Sequence, residues 1–479
     1  MKKTRFVVLA AALLIAGGMP ATAQQLPPIR QIGAVVTTTT EKLGAVSAVR
    51  QLPNGSVLVN DIVGRRVLLF DADLKKFTVV ADTTSATGNA YGTRPGGLIQ
   101  YRGDSTLFVD PASLSMLVID GNGKIGRVMS VPRANDAQFL IGGPFGSAGF
   151  DPQGRIVYRA PPRPVFTGGL PGGGGGSGGA RSGFISSAIP DSAALVRVDL
   201  ATRKVDTLAF IKTPKISMQM SRDANGGIQM QSTINPLPVV DDWGILPDGT
   251  VALVRGKDYH IDWLSPEKSM TSTAKIPFEW QRLSDDDKVA FIDSTRKAME
   301  VARASGNMGG ALAGMFGGGG GGGAMMTIRT GPEGAAPGGA AGNRPTRRVP
   351  SPGGGDVIVS TPVTTGTGAA VGVAGSGGAN PLGGALPGLS FVPPSELPDY
   401  KPPFSGNATR IDPEGNLWIR TSQNVKGLAV YNVVNRKGEV IDRVQLPVGR
   451  VIAGFGSGGA IFLGSREAGT ARLERALLR

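Results

Sequence analysis

The 479-residue chain contains no cysteine and a single histidine, His260. Without cysteine there is no disulfide and no N-terminal thiol for a lipid, so the fold must stand without covalent staples. A zinc site with several His or Cys ligands is excluded, and nucleophile–His–acid catalysis has one imidazole to use. Aromatic residues make up 6% and charged residues 18%, which argues against a coiled coil. No G-x-x-x-x-G-K-[ST] phosphate cradle occurs. GNGK at Gly121–Lys124 reads as a hairpin turn, and the GSGG near Gly456 lacks the helix a Rossmann motif needs. No apolar run reaches the ~20 residues that a membrane-spanning helix requires.

Phe6 to Ala16 is a short apolar run preceded by Lys2, Lys3 and Arg5 and followed by Ala21-Thr22-Ala23. A charged region, a short hydrophobic region and a small-residue cleavage site make a signal peptide over residues 1–23. The expectation is bacterial export to the periplasm or beyond, with no transmembrane segment after signal removal. The formal charge is +14, three positive charges of which lie in the leader. The rest is dispersed, with no basic stripe interleaved with aromatics, so no nucleic-acid partner is expected. Dispersed charge fits solubility or weak attraction to acidic envelope polymers.

Glycine is abundant, at 73 residues, with 35 prolines. More than half of the glycines fall within two segments, Gly168–Gly183 and Gly306–Ser390. Elsewhere one phrase recurs. It reads VSAVRQLPNGSVLVND at Val46–Asp61, GSAGFDPQGRIVYRA at Gly146–Ala160, DDWGILPDGTVALVRG at Asp241–Gly256 and NATRIDPEGNLWIRT at Asn407–Thr421. A weaker copy lies at Gly97–Asp110. Each strong copy places Pro where φ is pre-set and Gly where φ goes positive, between alternating apolar segments, the pattern of a β-hairpin. Two further strand-like segments follow each hairpin. Four short antiparallel strands, repeated, define a β-propeller. The C-terminal tail supplies three strands of a sixth unit, and Ile29–Thr40 can supply the fourth, closing the ring and removing exposed sheet edges.

The fold expected is therefore all-β: a six-bladed propeller closed by N- and C-terminal strands, with one helix and long Gly-rich insertions on one face. Five or seven blades stay open, because Thr213–Pro238 can hold another hairpin. The propeller spans residues 28–279 (closing strand and blades one to four) and 404–479 (blades five and six). One insertion, 161–191, falls between the second and third strands of blade three. The other, 280–403, begins with a helix at about 284–304 capped by Ser284, with Val289, Ile292 and Met299 as its apolar stripe. It continues as a Gly/Ala/Pro-rich stretch, 305–390, too poor in large apolar groups to order. Val357–Thr365 can form a local strand. In an up-and-down blade, second-to-third loops and blade crossings emerge on the same face, so both insertions should project over one mouth of the channel.

The phrases DPEGNLWIRT and LPDGTVALV resemble the blade hairpins of six-bladed propellers of the NHL-repeat, TolB-like and gluconolactonase-like (senescence-marker) type. The resemblance covers most of the chain outside the insertions and specifies a fold, on which hydrolases, lyases and binding scaffolds all occur. Gluconolactonase-type propellers hold a divalent metal at the channel mouth with carboxylates and an Asn from inner strands. Carried over, this implies Asp241, Asp242 and Asn407 as ligands, with Ca²⁺ the ion such oxygen donors suit. The first-blade Glu of that pattern is missing here.

The densest polar cluster is Asp241, Asp242, Arg255, Lys257, Asp258 and His260, all in blade four. Asp61, Asp110 and Arg420 end second strands in other blades and should face the same mouth. These groups either bind a ligand or pair with one another around the ring. Trp243, Trp263 and Trp418 read as wedges between sheets. The function expected is an exported propeller without cofactor or catalysis, binding a small ligand or an envelope protein at the insertion-bearing mouth. The alternative is a Ca²⁺-dependent hydrolase or lactonase.

Overall fold

A computed structural model describes residues 25–162, 165–167, 185–222, 228–304, 388–467 and 470–478. The segment expected to be a signal peptide, the Gly-rich cores of both insertions and the Val357–Thr365 strand lie outside the described residues. The fold is propeller-like and all-β, built of antiparallel sheets that are mostly four-stranded.

The recurring hairpin follows from its turn. Gly55, Gly154, Gly249 and Gly415 all have φ between 77° and 84°. In each turn the Gly N–H donates to the carbonyl three residues back, at 2.8–3.0 Å (Leu52, Asp151, Leu246, Asp412). That same residue's N–H donates across to the residue after the Gly. This is a type I turn closed by a left-handed residue, a conformation glycine adopts without strain.

The first sheet comprises Val46–Gln51, Val57–Asp61, Arg66–Phe70 and Phe77–Ala81 in spatial order. The second comprises Gly97–Gln100, Thr106–Asp110, Ser115–Ile119 and Ile125–Ser130. The third runs Gly149–Phe150, Ile156–Arg159, Ser192–Val198 and Val205–Lys212, and the fourth Asp242–Ile245, Val251–Arg255, His260–Leu264 and Met270–Ser272. The fifth holds Thr409–Ile411, Leu417–Val425, Leu428–Val434 and Val440–Gln445. In the sixth, Arg450–Phe455, Ala460–Glu467 and Thr470–Leu477 are followed by Val35–Thr38, paired antiparallel to Thr470–Leu477. The N-terminal segment divides, however. Ile29–Gln31 adds in parallel to Val440–Gln445 of the fifth sheet, and Arg30 pairs there with Asp442.

Because side chains alternate across a strand, each sheet buries two apolar faces. Val57 and Val59 pack with Phe462 and Leu473 of the sixth sheet, while Leu58 packs with Phe108 and Leu117 of the second. Other clusters join the second sheet to the third, the third to the fourth, the fourth to the fifth and the fifth to the sixth. Trp243, Trp263 and Trp418 each sit in one of these inter-sheet clusters.

A further sheet forms from segments outside this repeat. Its order is Val165–Thr167, Ile185–Ile189, Ile216–Arg222, Ile228–Ile234 and Gly388–Phe391. The hairpin suspected within Thr213–Pro238 exists, but it pairs here. Gly388–Ser390, the end of the stretch expected to be unordered, forms with Phe391 a strand parallel to Ile228–Ile234.

Helix α1 (Asp285–Ala304) starts on a reciprocal cap. The Asp287 N–H donates to Ser284 Oγ at 3.2 Å, and the Ser284 N–H donates to Asp287 Oδ2 at 2.9 Å. Ile292 and Met299 are buried, whereas Val289 is exposed, so the apolar stripe is narrower than expected. Lys288 is buried instead, its Nζ 2.7 Å from Asp399. Among the described residues no helix is long and apolar enough to cross a membrane.

Candidate functional site

The residues gathered in blade four by sequence separate into two groups in space. Adjacent residues at a strand start point to opposite sides, and Asp241 and Asp242 do so. Asp241 Oδ2 takes Arg255 Nη1 at 2.8 Å and the Lys212 N–H at 3.0 Å, and Oδ1 takes the Gly256 N–H at 3.1 Å. Asp242 turns instead toward the fifth sheet, accepting the Thr409 N–H at 2.7 Å.

Arg255 continues the first group. Its Nε donates to Asp262 Oδ2 at 2.7 Å, and Asp262 Oδ1 accepts from Ser272 Oγ at 2.5 Å. His260 stands between two carboxylates, with Nδ1 2.7 Å from Asp258 Oδ1 and Nε2 3.2 Å from Asp262 Oδ1. The burial of Asp262 opposes ionisation, but hydrogen bonds from Ser272 and Arg255 outweigh it and hold the carboxyl below the usual range. Lys257 is exposed on the intervening turn. The chain Asp258–His260–Asp262–Arg255–Asp241 is thus internally satisfied and binds the edges of the fourth sheet together.

Asp61 and Asp110 are buried and saturated as well. Asp61 accepts the N–H groups of Gly44, Ala45 and Gly64 and Arg66 Nε, each at 3.0 Å. Asp110 accepts from the Ala112 and Ser113 N–H groups and from Ser113 Oγ. Both carboxylates hold the turn that follows their strand. Arg420 lies opposite Tyr431 in the fifth sheet and is half-buried.

A divalent ion at Asp241, Asp242 and Asn407 needs oxygens converging on one point. The two carboxylates diverge, and Asn407 Oδ1 accepts from Arg410 Nη1 at 2.9 Å. Among the described residues no group of three or more His, Cys, Asp or Glu is placed to hold a metal ion. These residues do not fit the ion the resemblance implied.

Among the described residues, the shielded side-chain atoms without a hydrogen-bond partner include Thr409 Oγ1, next to Asp242, and Nε of Arg159, a residue the sequence reading passed over. Arg159 ends the second strand of the third sheet, the station that Asp61, Asp110 and Arg255 occupy in theirs. Its guanidinium carbon lies 4.8 Å from the Phe145 ring centroid and 5.9 Å from that of Phe139, two rings 4.5 Å apart. Its Nε is shielded from solvent and has no hydrogen-bond partner among the described residues. Burial pulls its pKa down to about 10, opposed by the charge of Asp242. Burial also pushes the Asp242 carboxyl above its ordinary value, against the pull of the Thr409 N–H. The Phe145 carbonyl accepts from Trp243 Nε1 at 3.2 Å, which fixes the aromatic seat beneath Arg159. A half-buried guanidinium held on two phenyl faces, with its Nε shielded from solvent, can receive an anionic or carbonyl acceptor.

This places the chain in the propeller-like all-β class. No family model matches it, and no curated protein matches it. Among solved structures it is similar to virginiamycin B lyase from Staphylococcus aureus, with 13% identity over 51% of this chain and 74% of that one, at a TM-score of 0.27. It is similar to the calcium-binding protein regucalcin from Agrobacterium tumefaciens, with 11% identity over 53% of this chain and 82% of that one, at a TM-score of 0.22. A member of the DUF4221 family from Bacteroides vulgatus aligns over 95% of this chain and 98% of its own, with 8% identity and a TM-score of 0.38. These are likenesses of architecture, and none carries a residue's role over to this chain.

Proposed function

We propose that the chain is an exported six-bladed propeller that binds a ligand or protein partner at the insertion-bearing mouth of its channel, without chemistry of its own. The ring reading is supported by the apolar clusters, which link each of the six repeating sheets to the next and the sixth to the first. The one-face reading is supported by the additional sheet, in which strands from both insertions and the 216–234 hairpin pair together. Pairing of Val35–Thr38 with the C-terminal strands supports closure.

The observation that carries the binding reading is Arg159: its Nε is shielded and has no partner among the described residues, while Asp61, Asp110, Asp241 and Arg255 are paired. A buried donor left unpaired costs about 1–3 kcal/mol, which an incoming acceptor recovers. The group approaching Arg159 is therefore a carboxylate, a phosphate or a carbonyl. The Ca²⁺-dependent hydrolase reading needs Asp241, Asp242 and Asn407 to share an ion, and their oxygens face Arg255, Thr409 and Arg410 instead.

Thermal shift with a panel of small carboxylates and phosphates tests this reading. At least one should raise the Tm of the wild-type protein and leave Arg159→Met unmoved, since a ligand stabilises only the form that binds it. Equal shifts in both proteins, or none in either, would overturn it. A Ca²⁺ titration with a chelator control serves as the arm for the hydrolase reading.

A further inference from the structure

A second site lies at the neck of the large insertion, where the chain leaves the fourth sheet and returns to the fifth. The two passes are clamped together: the Lys401 N–H donates to the Gln281 carbonyl at 2.9 Å, and the Leu283 N–H donates to the Asp399 carbonyl at 2.8 Å. Arg282 and Tyr400 form a bridge between them. Beside this clamp, against the second strand of the fifth sheet, is a cleft of about 520 Å³. That volume lies within the range of small-molecule sites.

The walls of the cleft combine two kinds of surface. An aromatic series runs outward from the core, from buried Tyr259 to Phe278 (centroids 5.6 Å apart), then Trp280 (5.5 Å), then Tyr400 (6.4 Å). Trp280 is 39% exposed and Tyr400 48%. The other three tryptophans of the chain are buried, so this ring is held at the surface by its aromatic neighbours rather than in the core. Facing it are groups that hydrogen-bond without dominant charge. The Gln423 amide is fixed at both ends: Nε2 donates to Glu279 Oε2 at 2.9 Å, and Oε1 accepts from Arg443 Nη2 at 2.5 Å. Among the described residues, one N–H of that amide and the second oxygen of Glu279 remain for a ligand. Asn424 and Lys401 complete the polar side.

We propose that this cleft is a saccharide-binding subsite. A pyranose ring offers an apolar C–H face and a rim of vicinal hydroxyls, which match an exposed indole and an array of amide and carboxylate groups set in advance. A peptide adding as a strand is disfavoured, because Leu417–Ile419 is paired on both sides, with Thr409–Ile411 and with Leu428–Val434, and at the cleft the Ser422 N–H already donates to the Pro403 carbonyl at 2.7 Å. The site is separate from Arg159 and stands on different residues.

The test titrates the full chain with maltotetraose, cellotetraose and tetra-N-acetylchitotetraose, read by tryptophan emission and by calorimetry. Trp280 is the tryptophan that solvent reaches, so its emission reports occupancy. One of the three should bind and change that emission. Trp280→Ala should weaken binding about tenfold or more, the equivalent of one lost stacking contact. Trp280→Phe should retain part of the affinity, and Arg159→Met should bind the sugar as wild type does. Absence of binding by all three sugars, affinity unchanged in Trp280→Ala, or loss of sugar binding in Arg159→Met would each overturn the assignment. The last result would merge the two sites. A failure here with anion binding intact at Arg159 would leave the mouth reading standing.

Discussion

Asp242 Oδ2 accepts the Thr409 N–H at 2.7 Å, so a carboxyl on the first strand of the fourth sheet ties it to the first strand of the fifth. Burial raises the pKa of this carboxyl above its ordinary value. A raised folded-state pKa means that the fold prefers the protonated form. The associated stability is present below the unfolded value of ~3.9 and is lost as pH rises through the folded value. Asp242→Asn keeps an acceptor for Thr409 and removes the charge. Urea unfolding should find the variant more stable than wild type at pH 7.5, with the difference closing toward pH 4. A variant less stable at every pH would show that the ionised carboxylate is favoured by the fold.

The acidic limb should carry the opposite sign at Asp262. Hydrogen bonds from Ser272 and Arg255 depress its pKa in spite of burial. Its contribution is present above the ordinary carboxylate value and is lost as pH falls below ~3.9. Asp262→Asn should therefore flatten the loss of stability below pH 4. In a double-mutant cycle, Arg255→Ala and Asp262→Ala should couple by about 1 kcal/mol or more, because the two side chains share one hydrogen bond and one network. Additive effects would mean that the ion pair is incidental.

Asp61 holds three backbone N–H groups and Arg66 while fully buried. Asp61→Ala would orphan these donors together. A loss of about 3 kcal/mol or more is expected from chemical denaturation, with Asp61→Asn retaining part of the stability. A loss below about 0.5 kcal/mol would show that water replaces the carboxylate.

Gly146 adopts φ +82°, and a Cβ there would lie 2.4 Å from Trp243 Nε1. Backbone strain and collision act together in Gly146→Ala, for an expected loss of about 2 kcal/mol. Because Trp243 bonds to the Phe145 carbonyl, the near-ultraviolet circular dichroism of the variant should also change, and the seat of Arg159 should loosen. Wild-type stability and an unchanged spectrum would contradict this packing.

The hairpins were legible in the sequence because their information is local. Pro and Gly at fixed offsets dictate the turn, and alternation dictates the two packed faces, as Val57, Leu58 and Val59 demonstrate. The inter-sheet placement of Trp243, Trp263 and Trp418 could be read for the same reason. The site was less legible. Asp241 and Asp242 look like a pair in sequence, yet the two-residue period of a strand sends them apart. Asp262, which completes the network of Arg255 and His260, sits within an apolar strand and gives no separate signal. Arg159 could have been found by aligning IVYRA with VLVND and VALVR, since all three end their strands at the same station. Trp280 lies in a crossing with no periodicity. The parallel pairing of Gly388–Phe391 with Ile228–Ile234 joins segments far apart in the chain and leaves no local pattern.

The central claim is that the guanidinium of Arg159, whose Nε has no hydrogen-bond partner among the described residues, receives the ligand. Calorimetric titration of the carboxylate or phosphate that stabilises the protein most, against wild type, Arg159→Met and Trp280→Ala, addresses it directly. A charged hydrogen bond worth about 2 kcal/mol predicts an affinity roughly thirtyfold weaker in Arg159→Met, with Trp280→Ala unchanged. Equal affinity in wild type and Arg159→Met would contradict the account.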